Sequence, residues 1–366
     1  MVRHGVVVLG TLVVGLVALS EGRASLHHPE APMAIPVSEK GVPEALPFEE
    51  FGRRRLVLLN AGNPKWPLEN TDPRDPTKKI RTDRGVVKDR IDKRLALRNR
   101  SELDSVALAV DWLRYGQAAE ATSALRDQRR EFLPNITHAH IEATQGNWDR
   151  AFQFLDIANE ERPPKEIPGL KPQELAWQLK LNTGPLLKLV RLRMGEARGD
   201  KPAPENELPD AIFPVNFANT VDGALAPAER AKLPPDALAT VQQLVLWFPH
   251  DPRLYWLLGE LYAAKGDFIA ARKIMDECVG TFTYSNRKVL MQHREAVTKV
   301  ADTKGPASDD PLFVQPDDTP VPAPPLSLGT VWIYFGVVGV VALFAAVRAL
   351  LRLRKSNDAP GVRPSR

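Results

Sequence analysis

The fold is decided by three occurrences of one short pattern: 116-GQAAEA-121, 146-GNWDRA-151 and 266-GDFIAA-271. Each occurrence lies between two apolar stretches with helical spacing. Glycine adopts turn conformations that other residues resist, and the polar residue after it can cap a second helix. Small residues before and after each turn let two helices approach closely. The pattern therefore predicts three helix–turn–helix units, with structural positions at Gly116, Ala121, Gly146, Ala151, Gly259, Gly266 and Ala271.

These units resemble the tetratricopeptide repeat, a helix–turn–helix unit of about 34 residues. The strongest resemblance covers 252–285, and weaker ones cover 132–165 and about 102–131. In the strongest unit the family's Leu, Gly, Tyr, Gly and Ala correspond to Leu258, Gly259, Tyr262, Gly266 and Ala271. The second unit has Glu142 where the family has Tyr, and the first is about one helical turn short. Since stacked repeats need neighbours to cover their apolar faces, helices in 166–251 are expected to fill the gap.

The predicted fold is all-α: a helix–turn–helix repeat solenoid or bundle, followed by one C-terminal transmembrane helix. The alternative is an ordinary helical bundle in which the Gly–Ala spacing arises by chance. Val87, Ile91 and Leu95 recur every fourth residue in a basic stretch, and Ser101 is placed to cap the next helix. The basic stretch is expected to be a helix with a solvated face. Lipid headgroups or an acidic partner are alternative contacts for that face.

The repeat family binds partners in a groove lined by the first helices of its units. The resemblance places four candidate partner-binding residues there: Arg253, Trp256, Glu260 and His140, with Ala264 and Ile136 at further groove positions. A large aromatic residue beside an arginine is a pair that often dominates binding energy. The alternative is that Trp256 packs against the helix carrying Trp247 and Phe248. The Lys and Asn set with which the family clamps peptide carboxylates is missing, so chaperone-tail binding is not implied.

The N-terminus has the features of a secretory signal peptide over residues 1–24. Arg3 precedes sixteen uncharged, mostly apolar residues, Gly5 to Ser20, and small residues then offer two cleavage points. An uncleaved anchor of the same composition is the alternative. In either case the following chain is expected to cross the membrane.

Leu328 to Val347 is expected to form a transmembrane helix. Its twenty uncharged residues would extend about 30 Å as a helix, which matches the hydrocarbon thickness of a bilayer. Trp332 and Tyr334 lie near its start, where aromatic rings favour the headgroup level. The basic residues that follow over 348–366 are expected to stay in the cytoplasm. A buried core helix is the alternative, but this run is apolar on every face.

Proline-rich stretches separate the ends from the helical region. The predicted order is a signal peptide (1–24), a proline-rich irregular region (25–86), a helical domain (87–300), a stalk (301–327), the transmembrane helix (328–347) and a basic cytoplasmic tail (348–366). The stalk would hold the domain off the bilayer as a semi-rigid segment, and a linker without a specific role is the alternative. This order predicts a single-pass cell-membrane protein whose large N-terminal domain lies outside the cytoplasm.

Charge and motifs exclude several function classes. The net charge of +4 does not indicate nucleic-acid binding, because the basic excess lies at the chain ends and the middle is slightly acidic. The sequence contains no nucleophile-elbow, zinc-protease, paired-cysteine, phosphate-loop or dinucleotide motif, so no catalytic residue, cofactor or metal is predicted. The single cysteine, Cys278, is expected to be a buried, inert thiol. Asn99 and Asn135 begin sequences that fit the N-glycosylation pattern.

The sequence therefore predicts an interaction scaffold of the cell envelope, not an enzyme, whose exported domain binds an unknown protein or peptide. The alternative is a subunit of a membrane-bound enzyme, or that enzyme itself, with a site assembled from distant residues. A protein that copurifies from solubilised membranes would favour the scaffold. Turnover of a substrate by the purified chain alone would favour the enzyme.

Overall fold

The computed structural model describes residues 34–128, 131–199, 209–284 and 287–304. The predicted signal peptide, transmembrane helix and tail, and the predicted stalk from residue 305 onward, lie outside the described residues. No helix within these described ranges combines the length and apolar character needed to cross a bilayer. Most of the described residues are helical, and strands form only two short antiparallel ribbons among them. The all-α class is confirmed at this level.

Helices follow one another along the chain, with a ribbon in each half. The first half contains α1 (Phe48–Gly62), β1 (Glu69–Asp72), β2 (Asp75–Arg81), α2 (Asp83–Leu95), α3 (Glu102–Arg114), α4 (Ala118–Ala124), α5 (Phe132–Thr144) and α6 (Trp148–Glu160). The second half contains α7 (Pro172–Leu181), a π-helical turn (Asn182–Leu186), α8 (Leu187–Ala197), β3 (Thr220–Val221), β4 (Ala224–Leu225), α9 (Pro227–Arg230), α10 (Ala237–Trp247), α11 (Pro252–Lys265), α12 (Phe268–Thr281) and α13 (Arg287–Lys304).

Each of the three sequence patterns forms a helical hairpin: α3 with α4, α5 with α6, and α11 with α12. The turn glycines have positive φ angles, +85° at Gly116, +77° at Gly146 and +94° at Gly266. The alanines five residues later, Ala121, Ala151 and Ala271, are fully buried. At Gly259 an added Cβ would lie 3.2 Å from the Ile274 side chain, so a small residue is needed for α11 to approach α12.

A predicted helix cap is confirmed at the start of α3. The Ser101 hydroxyl accepts a hydrogen bond from the Asp104 N–H (3.1 Å), and the Asp104 carboxylate accepts one from the Ser101 N–H (3.1 Å). This capping box satisfies backbone groups that the first helical turn leaves without partners. Ser101 therefore fixes where the first hairpin begins.

The N-terminal segment differs from the irregular region expected over 25–86. It contains α1 and the ribbon β1–β2, and α1 contacts α2, α3 and α10. The first cluster of prolines ends at Pro47, directly before α1, and proline is tolerated at a helix start. From there Phe51, Leu58 and Ala61 point into the core. A stretch far from the repeats in sequence thus joins the packing around them.

Two arginines of α2 are buried, whereas the sequence predicts a solvated basic face for this helix. Arg84 and Arg94 are buried, and Arg90 and Arg94 both bind the carboxylate of Asp111 on α3. The Arg84 guanidinium donates a hydrogen bond to the Ala61 carbonyl (2.8 Å) and lies 3.7 Å from the centre of a tyrosine ring. These arginines therefore attach α2 to α1 and α3.

Candidate partner-binding surface

Arg253 lies in a network of charged side chains at the start of α11. Its guanidinium is 2.7 Å from the carboxylates of both Glu196 and Asp210, and Arg193 binds the other oxygen of Asp210 at 2.7 Å. Asp251, which caps α11, also contacts Arg193 (3.1 Å). Burial alone would lower the pKa of Arg193, but the Asp210 and Asp251 carboxylates outweigh burial and raise that pKa. The network joins α8 to α11 with opposite charges paired inside the protein.

Trp256 and Glu260 lie one turn apart on α11 and face α13. The Trp256 indole N–H donates a hydrogen bond to Oε1 of Glu260 (2.7 Å), and Nδ1 of His293 is 2.6 Å from the same oxygen. The Trp256 ring also meets the Tyr284 ring edge-on, with 5.7 Å between centres. Burial alone would lower the pKa of His293, but the hydrogen bond and charge of Glu260 raise it.

His140 lies in the interior, on α5. Its Nε2 is 3.1 Å from Oδ1 of Asn182 in the π-helical turn. Its ring stacks on Phe248 at 5.6 Å and meets the Trp247 ring edge-on at 4.7 Å. Trp247 and Phe248, the alternative neighbours of Trp256, thus contact His140. The π-helical turn that carries Asn182 is of a kind often found at functional sites.

Three of the four candidate partner-binding side chains are closed off from solvent. The residue exposure of Trp256 is 0%, and that of Glu260 and His140 is 1%. Arg253 is partly accessible, but two carboxylates already hold it. A partner could reach the three buried side chains only if the helices separated. Burial therefore favours a packing role for Trp256, whose ring contacts Tyr284 and His293. The partner-binding role of the four residues stays a prediction.

A cluster of side chains from distant parts of the chain could not be predicted from the sequence. Arg55 on α1 lies 3.8 Å from the centre of the Tyr255 ring and forms an ion pair with Glu277 at 2.6 Å. The Tyr255 hydroxyl donates a hydrogen bond to the same carboxylate group (2.7 Å). No local motif marks this cluster. Its only sequence signal is an arginine in an otherwise apolar helical face.

Among the surface clefts of the described residues, one is mainly apolar and another is acidic. The apolar cleft, of about 370 Å³, is lined by Pro43, Ala45, Arg230, Leu233, Pro234, Pro235, Ala237, Leu238, Ala239, Leu261, Ala264 and Lys265. The acidic cleft, of about 620 Å³, is lined by Glu102, Leu103, Glu131, Phe132, Leu133, Glu160, Glu161, Arg162, Pro164, Glu166 and Ile167. Ala264, one of the groove positions implied by the resemblance, lies in the apolar cleft. That cleft therefore includes one position of the predicted groove.

Glu102 has an unusual environment in the acidic cleft. Partial burial and a hydrogen bond with the neighbouring carboxyl of Glu131 raise the pKa of Glu102 to about 7. One of the two carboxyls can therefore hold a proton near neutral pH. This part of the surface becomes more negative as the pH rises.

The thiol and one of the glycosylation sequences are buried. Cys278 is inaccessible, as expected, and burial raises its pKa to about 12. Asn135 has 0% exposure, so its amide cannot accept a glycan in the folded protein, whereas Asn99 is exposed. Within the described ranges no group of three or more His, Cys, Asp or Glu residues is arranged to hold a metal ion.

Comparison of the chain with protein-family models, curated proteins and solved structures gives no match.

Proposed function

We propose that this protein is a membrane-anchored scaffold whose helical domain lies outside the cytoplasm and binds a protein partner. The observation that carries the proposal is the set of three helical hairpins at the positions that resemble tetratricopeptide units. Each turns at a glycine with positive φ and closes on a buried alanine. Folds of this kind present extended surfaces for proteins and peptides.

Contacts between hairpins also support a repeat arrangement. Helix α3 contacts α5, so the first helices of two successive hairpins are neighbours. The second helix of that next hairpin, α6, contacts α8, and α10 contacts α11. Under the proposal, α7, α8 and α10 occupy the place of degenerate repeats between α6 and α11, and the whole is a short solenoid. The anchor is the apolar segment 328–347, and the tail 348–366 lies in the cytoplasm.

The test is recovery of a partner from the native membrane followed by reconstitution. The tagged full chain is crosslinked in intact cells, solubilised in detergent and purified, and each recovered protein is then expressed alone. We expect one of them to bind the purified full chain directly and reversibly. If none binds, or if the purified chain alone turns over a substrate, the scaffold proposal fails.

A further inference from the structure

The apolar cleft carries two basic side chains and no acidic one. Arg230 at the end of α9 and Lys265 at the end of α11 are the only charged residues that line it. Both are exposed, and neither side chain forms a hydrogen bond or ion pair with another residue in the described part of the chain. The cleft therefore presents apolar surface beside positive charge that has no internal counterion.

One wall of the cleft is held in place from behind. The Leu46 N–H donates a hydrogen bond to the Gln242 side-chain oxygen (2.7 Å), and the Leu46 carbonyl accepts one from the Gln242 amide (2.9 Å). The Ile35 N–H donates to Gln243 in the same way (2.9 Å). These buried glutamines of α10 fix the segment that carries Pro43 and Ala45. A cleft with fixed walls loses little conformational entropy when a ligand enters.

The lining also limits how a ligand can bind. Pro43, Pro234 and Pro235 have no backbone N–H, so they cannot donate to an added β-strand. Apolar side chains entering the cleft are one source of affinity, and a volume of about 370 Å³ accommodates only a few of them. The two cations belong to separate elements, which suits a ligand with more than one carboxylate.

We infer that the apolar cleft docks a peptide segment of the partner protein in which a few apolar side chains adjoin Asp or Glu residues. The apolar side chains enter between α10 and α11, and the carboxylates pair with Arg230 and Lys265. This inference rests on the proposed function, because it names the surface that a partner would use and the chemistry of the partner.

The experiment selects random peptides displayed on phage. The selection uses the full chain in nanodiscs and, in parallel, an R230E/K265E variant. We expect the peptides enriched on the wild-type chain alone to combine apolar and acidic residues. A synthetic peptide of the enriched sequence should bind the wild-type chain at least tenfold more tightly than it binds R230E/K265E or Leu233→Asp. Its amide analogue, with Asn and Gln for Asp and Glu, should bind at least tenfold more weakly.

The matched control is K93E/K299E, which reverses two exposed lysines outside the cleft and should leave peptide affinity unchanged. The melting temperature of R230E/K265E should stay within a few degrees of wild type, because both side chains are exposed. Three outcomes would overturn the inference. The first is no enrichment over R230E/K265E, and the second is enrichment of peptides without acidic residues. The third is that a second copy of the chain, or decanoate, displaces the peptide equally well from the wild-type chain and from R230E/K265E.

Failure of this inference differs from failure of the proposed function. If the partner binds wild type and R230E/K265E equally, the scaffold stands and its docking surface lies elsewhere. If no partner is found, the scaffold fails, and the peptide selection still decides whether the cleft binds acidic apolar peptides.

Discussion

His293 and Glu260 join α13 to α11 through a single carboxylate oxygen. Nδ1 of His293 is 2.6 Å from Oε1 of Glu260, and the same oxygen accepts the hydrogen bond of the Trp256 indole. The Glu260 side chain is 1% exposed and that of His293 is 11% exposed. Since an unpaired buried carboxylate is costly, a protonated His293 stabilises the contact between the two helices.

We expect His293→Gln to lower the free energy of unfolding by about 2 kcal/mol below about pH 6, and by less above about pH 8. The pKa of His293 is raised in the folded state above its ordinary value of 6.5. The stabilisation is therefore complete below that ordinary value and is lost as the pH rises through the folded-state pKa. Urea unfolding across a series of pH values measures this difference.

Arg294→Gln is the control for His293→Gln. Arg294 is the next residue on α13 and pairs with Asp276 at the surface. Because exposed ion pairs contribute little, the loss should be below about 1 kcal/mol and should not change with pH in this range. A pH-independent effect of His293→Gln would contradict the buried ion pair.

Trp256→Ala should lower the free energy of unfolding by about 3–5 kcal/mol, as should Tyr262→Ala, because both side chains are buried in the core. Trp66→Ala removes a ring that is 38% exposed and should cost much less. Denaturant unfolding of the three variants measures the order. If Trp256→Ala keeps wild-type stability and abolishes partner binding, that result would support a role for Trp256 in binding the partner.

The hairpins could be predicted from sequence because their determinants are local. Gly146 and Ala151 lie five residues apart, Gly146 has the positive φ of the turn, and Ala151 is fully buried. The short α4, only seven residues long, agrees with a first unit that is about one turn short. Helix α1 was missed because the number of prolines in 25–86 outweighed the proline-free stretch that follows Pro47.

The surroundings of Glu260 and Arg253 could not be predicted, because elements distant in sequence provide them. Glu260 is covered by His293, and Arg253 is held by Asp210 and Glu196. A helical spacing shows which residues share a face. It does not show whether solvent or another helix contacts that face. In this protein α8 and α13 contact it.

The turn glycines of the first two hairpins should respond differently to alanine. Gly146→Ala places a Cβ where no atom lies within 4 Å. Only the strain of the positive φ should therefore lower the free energy of unfolding, by about 1 kcal/mol. Gly116→Ala meets the same strain and also puts the Cβ 2.9 Å from the Gly62 carbonyl oxygen, which adds about 1–3 kcal/mol. Thermal or urea unfolding compares the two, and equal losses would contradict the close contact between α1 and the first turn.

The proposed topology predicts a simple protease pattern. Protease added outside intact spheroplasts should degrade the 25–327 region and leave a small fragment that contains 328–347 and a tag on the C-terminus. Permeabilised spheroplasts are the control, since the tag should then be lost as well. Protection of the large domain in intact spheroplasts would reverse the orientation and remove the main support for a scaffold outside the cytoplasm.

Glu102→Gln should stabilise the protein above about pH 7 and have little effect near pH 4. The pKa of Glu102 rises from 4.5 to about 7 on folding, so the folded protein binds its proton more tightly than the unfolded chain does. Stability therefore falls as the pH rises through this interval, and the amide removes that loss. Melting temperatures between about pH 4 and 8 measure the effect. Glu161→Gln, in the same cleft, is the control, and an equal pH-dependent gain there would assign the effect to the general charge of the cleft instead of the Glu102–Glu131 contact.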